Sequence, residues 1–157
     1  MMKNSLSVKD SLKAKEYASA LLKFHKPEDL IMYSDEIFFA NTLIDPSYNI
    51  NTAPKIQVCQ KDIVLDNCII NIPVPIILDI NNEGEKALHI TGIQTSCTCI
   101  DLMSDIREYE IYHDEPIKVG LYFTPDKTGN TYREIFIYSD AYKNPVYRIT
   151  INANIVQ

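Results

Sequence analysis

The chain has 157 residues, 46% hydrophobic and 23% charged, with a net charge of −6, the make-up of an ordinary globular protein with room for one domain and an extension. Its acidic balance and the lack of any basic stripe exclude the electrostatic footing of a nucleic-acid binder, and an acidic surface also repels anionic lipid. No stretch reaches the ~18 apolar residues of a membrane helix, and the first ten residues hold no apolar signal core.

Two readings of compartment follow. The protein is cytoplasmic, or it is an envelope or periplasmic protein whose signal is absent from this sequence. Residues 9–25 predict an amphipathic helix, because Ala14, Tyr17, Ala18, Leu21 and Leu22 fall on one face of a 3.6-residue repeat. Ser7 and Asp10 resemble a capping box at its start. Lys23, His25 and Lys26 place positive charge at its end, and Pro27 stops it. Pro27-Glu28-Asp29 reads as the first turn of a second helix, with Leu30, Tyr33 and Ile37 as a partial stripe. Ile37-Phe38-Phe39 fits a helix or a short strand equally well. Residues 45–54 are rich in turn formers and read as a linker.

From about residue 55 the period changes to two. Strands are expected at 55–59, 62–66, 73–81, 86–94, 106–112, 116–124, 131–138 and 146–156. The clearest is the last, where Tyr147, Ile149, Ile151, Ala153 and Ile155 alternate with polar residues. Pro73 and Pro75 point to an edge for the third, and 131–138 alternates poorly enough that both its faces look covered. Successive strands with no helix between them predict an immunoglobulin-like antiparallel β-sandwich of about seven or eight strands over residues 55–157, preceded by a helical extension over 1–50.

Candidates for chemistry are few. With four glycines the chain cannot build a Gly-rich phosphate loop, and it has no nucleophile elbow or zinc-protease helix. No catalytic residue and no cofactor is expected, and the chain reads as a non-enzyme. Cys97 and Cys99 flank Thr98 and are candidates for a soft metal, with His89, Met103 and His113 as further donors in reach of the same chemistry. In an extended strand their Cα atoms would lie about 6.6 Å apart, near the limit for a disulfide, so a direct bridge needs a turn at Thr98. The four cysteines, Cys59, Cys68, Cys97 and Cys99, leave three pairings open. His25, His89 and His113 have no sequence neighbour that would orient them as bases. Glu108, Glu110, Asp114 and Glu115 lack the spacing of a calcium loop and read as a solvated face. Tyr122, Tyr132 and Tyr138, among ten tyrosines, are candidates for a face that binds another protein.

One stretch carries a family likeness. Leu78-Asp79-Ile80-Asn81-Asn82-Glu83-Gly84-Glu85-Lys86-Ala87-Leu88-His89-Ile90 resembles the strand-turn-strand F-x-N-x-G-x-x-P-L-x-I of the bacterial domain of unknown function 1573. Ile93-Gln94-Thr95-Ser96-Cys97-Thr98-Cys99-Ile100 resembles its V-x-T-S-C-G-C-T. Lys118–Phe123, Gly129, Ile135–Ser139 and Ile149–Ala153 follow its strand order, so the likeness covers residues 55–157. Thr98 stands for the family's glycine, Ile100 for its next threonine, and His113-Asp114-Glu115-Pro116 for its Pro-Gly turn. The resemblance implies a sandwich similar to the ASH and major-sperm-protein modules, mostly interaction domains. It also implies an exported or lipid-anchored envelope protein, and no known reaction. Taken together, the expectation is a non-catalytic interaction or structural module that binds another protein. The alternative is a thiol-redox or soft-metal protein acting through Cys97 and Cys99.

Overall fold

The computed structural model describes residues 8–26 and 28–157. Among them lie three helices, α1 (Val8–Phe24), α2 (Asp29–Met32) and α3 (Ser34–Ile44). Nine strands follow: β1 (Ile56–Val58), β2 (Asp62–Ile69), β3 (Val74–Asn82), β4 (Leu88–Thr95), β5 (Ile100–Leu102), β6 (Tyr109–Ile111), β7 (Ile117–Phe123), β8 (Gly129–Ser139) and β9 (Val146–Val156). The expected Ser7 cap and Pro27 stop lie outside the described residues. His25 closes α1, its Nδ1 2.9 Å from the Leu22 carbonyl. Ile37-Phe38-Phe39 is helical, inside α3.

The strands form two sheets, β1-β3-β7-β5 and β2-β9-β8-β4-β6. Their inner faces follow the period-two pattern. Ile76, Leu78 and Ile80 of β3 and Val119, Leu121 and Phe123 of β7 meet Ile135 and Ile137 of β8 and Ile149, Ile151 and Ile155 of β9 in one core. The pairings are antiparallel except β2 with β9, which run parallel with a register shift between Leu65 and Cys68. β1 covers only Ile80, Asn81 and Asn82 of β3, so Pro75 lies on a stretch with one open side. β8 alternates after all: Ile135, Ile137 and Ser139 are buried while Glu134, Phe136 and Tyr138 are only half covered. A ninth strand, β5, follows the cysteines and pairs with β7 at the sheet's edge.

β4 carries a bulge between Ile90 and Gly92. The extra residue resets the alternation, so Ile90 and Ile93 both point inward although three apart. Thr91 is the displaced residue, and its buried Oγ1 has no partner.

Asn82 fixes the β3–β4 connection and is fully buried. Its Oδ1 accepts from the Gly84 amide at 2.9 Å and the Lys55 amide at 3.2 Å. Its Nδ2 donates to the Lys86 carbonyl at 2.8 Å and the Ile111 carbonyl at 3.0 Å. The turn itself, the chain at Lys55 and the end of β6 at Ile111 are thereby tied through one amide. Gly84 packs so tightly that no side chain fits between it and the backbone at Ala53 and Pro54.

Candidate functional site

The helices sit against one end of the sandwich. Phe38 of α3 stacks on Tyr142 with ring centroids 4.0 Å apart, and the Tyr142 hydroxyl donates to Asp35 Oδ1 at 3.0 Å. Lys86 Nζ reaches back to Asp45 at 2.6 Å. That hydrogen bond, helped by Ser47, holds the Asp45 carboxyl at about 2. Residues 45–54 are therefore a structured strap rather than a free linker.

Between the helices and β4 lies a cleft of about 520 Å³. Leu22, Leu30 and Ile37 give it an apolar side; Lys86, His89, Thr91 and Asp140 give it a polar one. Tyr48 also lines it, and burial pushes its phenol up to about 12. His89 is held by carboxylates distant in sequence. Its Nδ1 lies 2.7 Å from Asp140 Oδ2 and its Nε2 3.4 Å from Glu110 Oε1. The hydrogen bond to Asp140, with the charges of Asp140 and Glu110, outweighs partial burial and raises His89 above its ordinary value.

This pair makes stability depend on pH with a definite sign. A histidine raised in the folded state stabilises fully below its unfolded value of about 6.5, and the contribution fades as pH climbs through the folded value. The stability difference between wild type and His89→Asn is expected to shrink from about pH 5.5 to about pH 8.5. Urea unfolding across that range checks it; a constant difference counts against the pair.

The structure joins Cys97 and Cys99 directly, with Cα atoms 5.2 Å apart, because the chain turns at Thr98 and Cys99 before β5. Both sulfurs are in the bridge, so neither is a thiolate donor in this state. Thr95 Oγ1 donates to the carbonyls of Cys97 at 3.0 Å and Ile100 at 3.3 Å, closing the turn. Cys59 is free and exposed; Cys68 is free and buried, and burial pushes its thiol up. His113 Nδ1 pairs with the Gly84 carbonyl at 3.0 Å, and Met103 lies over Gly120. No group of three or more His, Cys, Asp or Glu among the described residues is placed to hold a metal.

The three tyrosines do not share a face. Tyr122 points outward from β7, whereas Tyr132 and Tyr138 point outward from β8 in the opposite sheet. Tyr132 donates to Glu134 at 2.8 Å and Tyr138 to Gln94 at 3.2 Å.

The sequence also offers residues 9–40 as a segment that docks a partner helix, and in the structure that segment carries exposed apolar side chains. On α1 the stripe splits: Ala14, Ala18 and Leu22 face inward, while Tyr17, Leu21 and Phe24 stay exposed. Tyr17 is 76% and Phe24 73% accessible. Ile31, Met32, Tyr33 and Phe39 of the neighbouring helical segment are exposed as well. The signal was present, since Tyr17 and Leu21 already belonged to the helical stripe.

A family model described as protein of unknown function (DUF1573) matches residues 56–155. No curated protein matches the chain. Among solved structures, the chain is similar to the ASH / PapD-like domain of human CEP192, at 10% identity and a TM-score of 0.56, covering 71% of this chain and 92% of that one. It is similar to a protein of unknown function from Porphyromonas gingivalis at 13% identity and 0.54, covering 69% and 50%. It is similar to the YadV chaperone at 9% identity and 0.50, covering 66% and 53%. The chain thus spans about half the length of the last two. At these identities the likeness shows the fold alone. No described helix is long and apolar enough to cross a membrane.

Proposed function

The chain belongs, through its sandwich, to the DUF1573 family, and from that footing we propose that it is a non-catalytic protein-interaction module of the bacterial cell envelope. Its contact surface is the helical segment packed on the sandwich. The observation that carries this reading is the exposed line Tyr17, Leu21 and Phe24 on α1, with Ile31, Met32 and Phe39 also exposed on the helices that follow. Single exposed apolar residues are ordinary, but a run of them on adjacent elements marks a surface that a partner covers. The spacing i, i+4, i+7 on α1 suits a partner helix laid alongside. The bridge between Cys97 and Cys99 favours an oxidising compartment, which supports the envelope over the cytosol. Thiol chemistry at that bridge is a second reading, and it draws on a different end of the molecule.

The test is a photo-crosslinker at position 20 on α1, used in the native host. Wild type should give one discrete adduct. Leu21→Gln with Phe24→Gln should weaken capture at least tenfold while leaving the unfolding midpoint nearly unchanged, because these side chains are exposed and aromatic anchors dominate contact energies. An adduct that survives both substitutions would remove the helical surface from the proposal.

A further inference from the structure

We propose that the Cys97–Cys99 bridge is a redox-active disulfide that exchanges with the thiol pair of a substrate protein, attacked at Cys97 and leaving through Cys99. The two sulfurs sit in different surroundings. Cys97 lines a shallow groove of about 240 Å³ with Thr95, Thr98, Asp101 and Arg107. Cys99 instead receives a hydrogen bond from Arg133, whose Nε lies 3.3 Å from its sulfur. Arg133 is half-buried, its Nη1 donates to the Tyr132 carbonyl at 2.8 Å, and among the described residues no carboxylate pairs with it. An uncompensated guanidinium beside a sulfur favours the thiolate and so makes that sulfur the better leaving group.

The loop closed by the bridge contains a single intervening residue. Cross-linking so short a loop removes little entropy from the unfolded chain, so the bond contributes little to stability and is free to serve chemistry. The turn is held without it. Thr95 Oγ1 bonds the Cys97 and Ile100 carbonyls, the Thr124 amide donates to the Cys99 carbonyl at 2.8 Å, and the Ser96 amide donates to the Glu134 carbonyl at 2.9 Å. The dithiol form therefore keeps both sulfurs in place.

The exchange balances as follows. A substrate thiol loses its proton to solvent, and the thiolate attacks Cys97 Sγ. The Cys97–Cys99 bond breaks and Cys99 leaves as a thiolate beside Arg133. The substrate's second thiol loses its proton to solvent, and its thiolate attacks the mixed disulfide at the substrate sulfur, releasing Cys97, which takes up a proton. The substrate dithiol is oxidised by two electrons to a disulfide, and the bridge is reduced by the same two.

The test uses the full chain with Cys59→Ser, which removes the exposed free thiol, and reduced glutathione as the probe. Mass spectrometry after alkylation follows the bridge. Millimolar reduced glutathione should open it, and the further variant Cys99→Ser, given oxidised glutathione instead, should form a lasting glutathione adduct on Cys97 with release of one glutathione thiolate. Arg133→Gln should slow opening roughly three- to tenfold through the poorer leaving group, with Arg133→Lys restoring part of the rate. In reduced protein carrying Cys97→Ser, the alkylation midpoint of Cys99 should fall below the ordinary thiol value of about 8.5, and Arg133→Gln should return it. A bridge untouched by millimolar glutathione, or a Cys99 midpoint at the ordinary value, would overturn the proposal. The helical surface has no part in these readouts, so it stands or falls separately.

Discussion

Replacing Asn82 by leucine is expected to destabilise the fold by about 2–4 kcal/mol, more than any surface change would. The side chain is fully buried and makes four hydrogen bonds to backbone groups of Lys55, Gly84, Lys86 and Ile111. Leucine fills a similar volume but answers none of them. The Gly84 amide and the Ile111 carbonyl suffer most, because their bonds are the buried ones. Each such group left unmatched costs roughly 1–3 kcal/mol, softened where water can reach the Lys55 and Lys86 sides. Asn82→Asp separates this cause from simple loss of packing. It keeps the acceptor that serves the Lys55 and Gly84 amides but turns the donor end into an oxygen facing two carbonyls. The folded state then favours the protonated acid, so the variant's carboxyl is raised. Its stability relative to wild type should be greatest at low pH and fall as pH rises through that raised value. Urea unfolding of both variants at acid and neutral pH measures this. An aspartate variant indifferent to pH would show that the donor end contributes nothing.

The same residue shows how legible the chain is. Asn82 and Gly84 could be picked out as a turn and as the core of a family likeness, but nothing local says that the amide binds Ile111, 29 positions away. Long runs of clean alternation, such as Ile149-Ile151-Ala153-Ile155, determine their own face, and those strands were readable. β5 was not, because three residues after a turn carry no period and its partner β7 is remote. The strand expected at 86–94 is β4, but its bulge at Thr91 left no mark in the pattern, since alternation resumes out of phase at Ile93. The parallel pairing of β2 with β9 joins the first and last strands of one sheet and leaves no local trace. Ile37-Phe38-Phe39 suited either helix or strand until packing decided, with Phe38 stacked on Tyr142. The three tyrosines were candidates for one face, but which sheet each strand joins sets Tyr122 apart from Tyr132 and Tyr138. The His89 site was hidden for a similar reason, as Asp140 lies 51 residues further on. The α1 stripe was visible whole, yet only the tertiary contact shows that half of it stays bare.

Gly84→Ala is the second large effect, expected at about 2–4 kcal/mol, near the upper end for overpacking. A methyl group there would overlap the Ala53 carbonyl oxygen and come within 2.8 Å of the Ala53 carbonyl carbon and 2.9 Å of Pro54 Cα. These are backbone atoms, so no rotamer change relieves the clash. The strap must move, and with it the Lys86 amide's bond to the Thr52 carbonyl at 2.8 Å and the ion pair of Lys86 with Asp45. Glycine is therefore needed at 84 for close approach. Gly120→Ala makes the control. Its methyl would collide with Met103 Sδ, but a methionine side chain has three free torsions and an open side to swing toward, so the loss should stay within about 1 kcal/mol. Thermal or urea unfolding gives the global term, and hydrogen exchange at the Lys86 amide reports whether the strap has lifted. If Gly84→Ala weakens that amide's protection while the sandwich core keeps its own, the strap lifts as a unit, and the helices keep only their contacts at Tyr142, the Phe38 stack and the Asp35 hydrogen bond. If both fall together, the strap is part of the same cooperative structure, and the helices are anchored by the core itself.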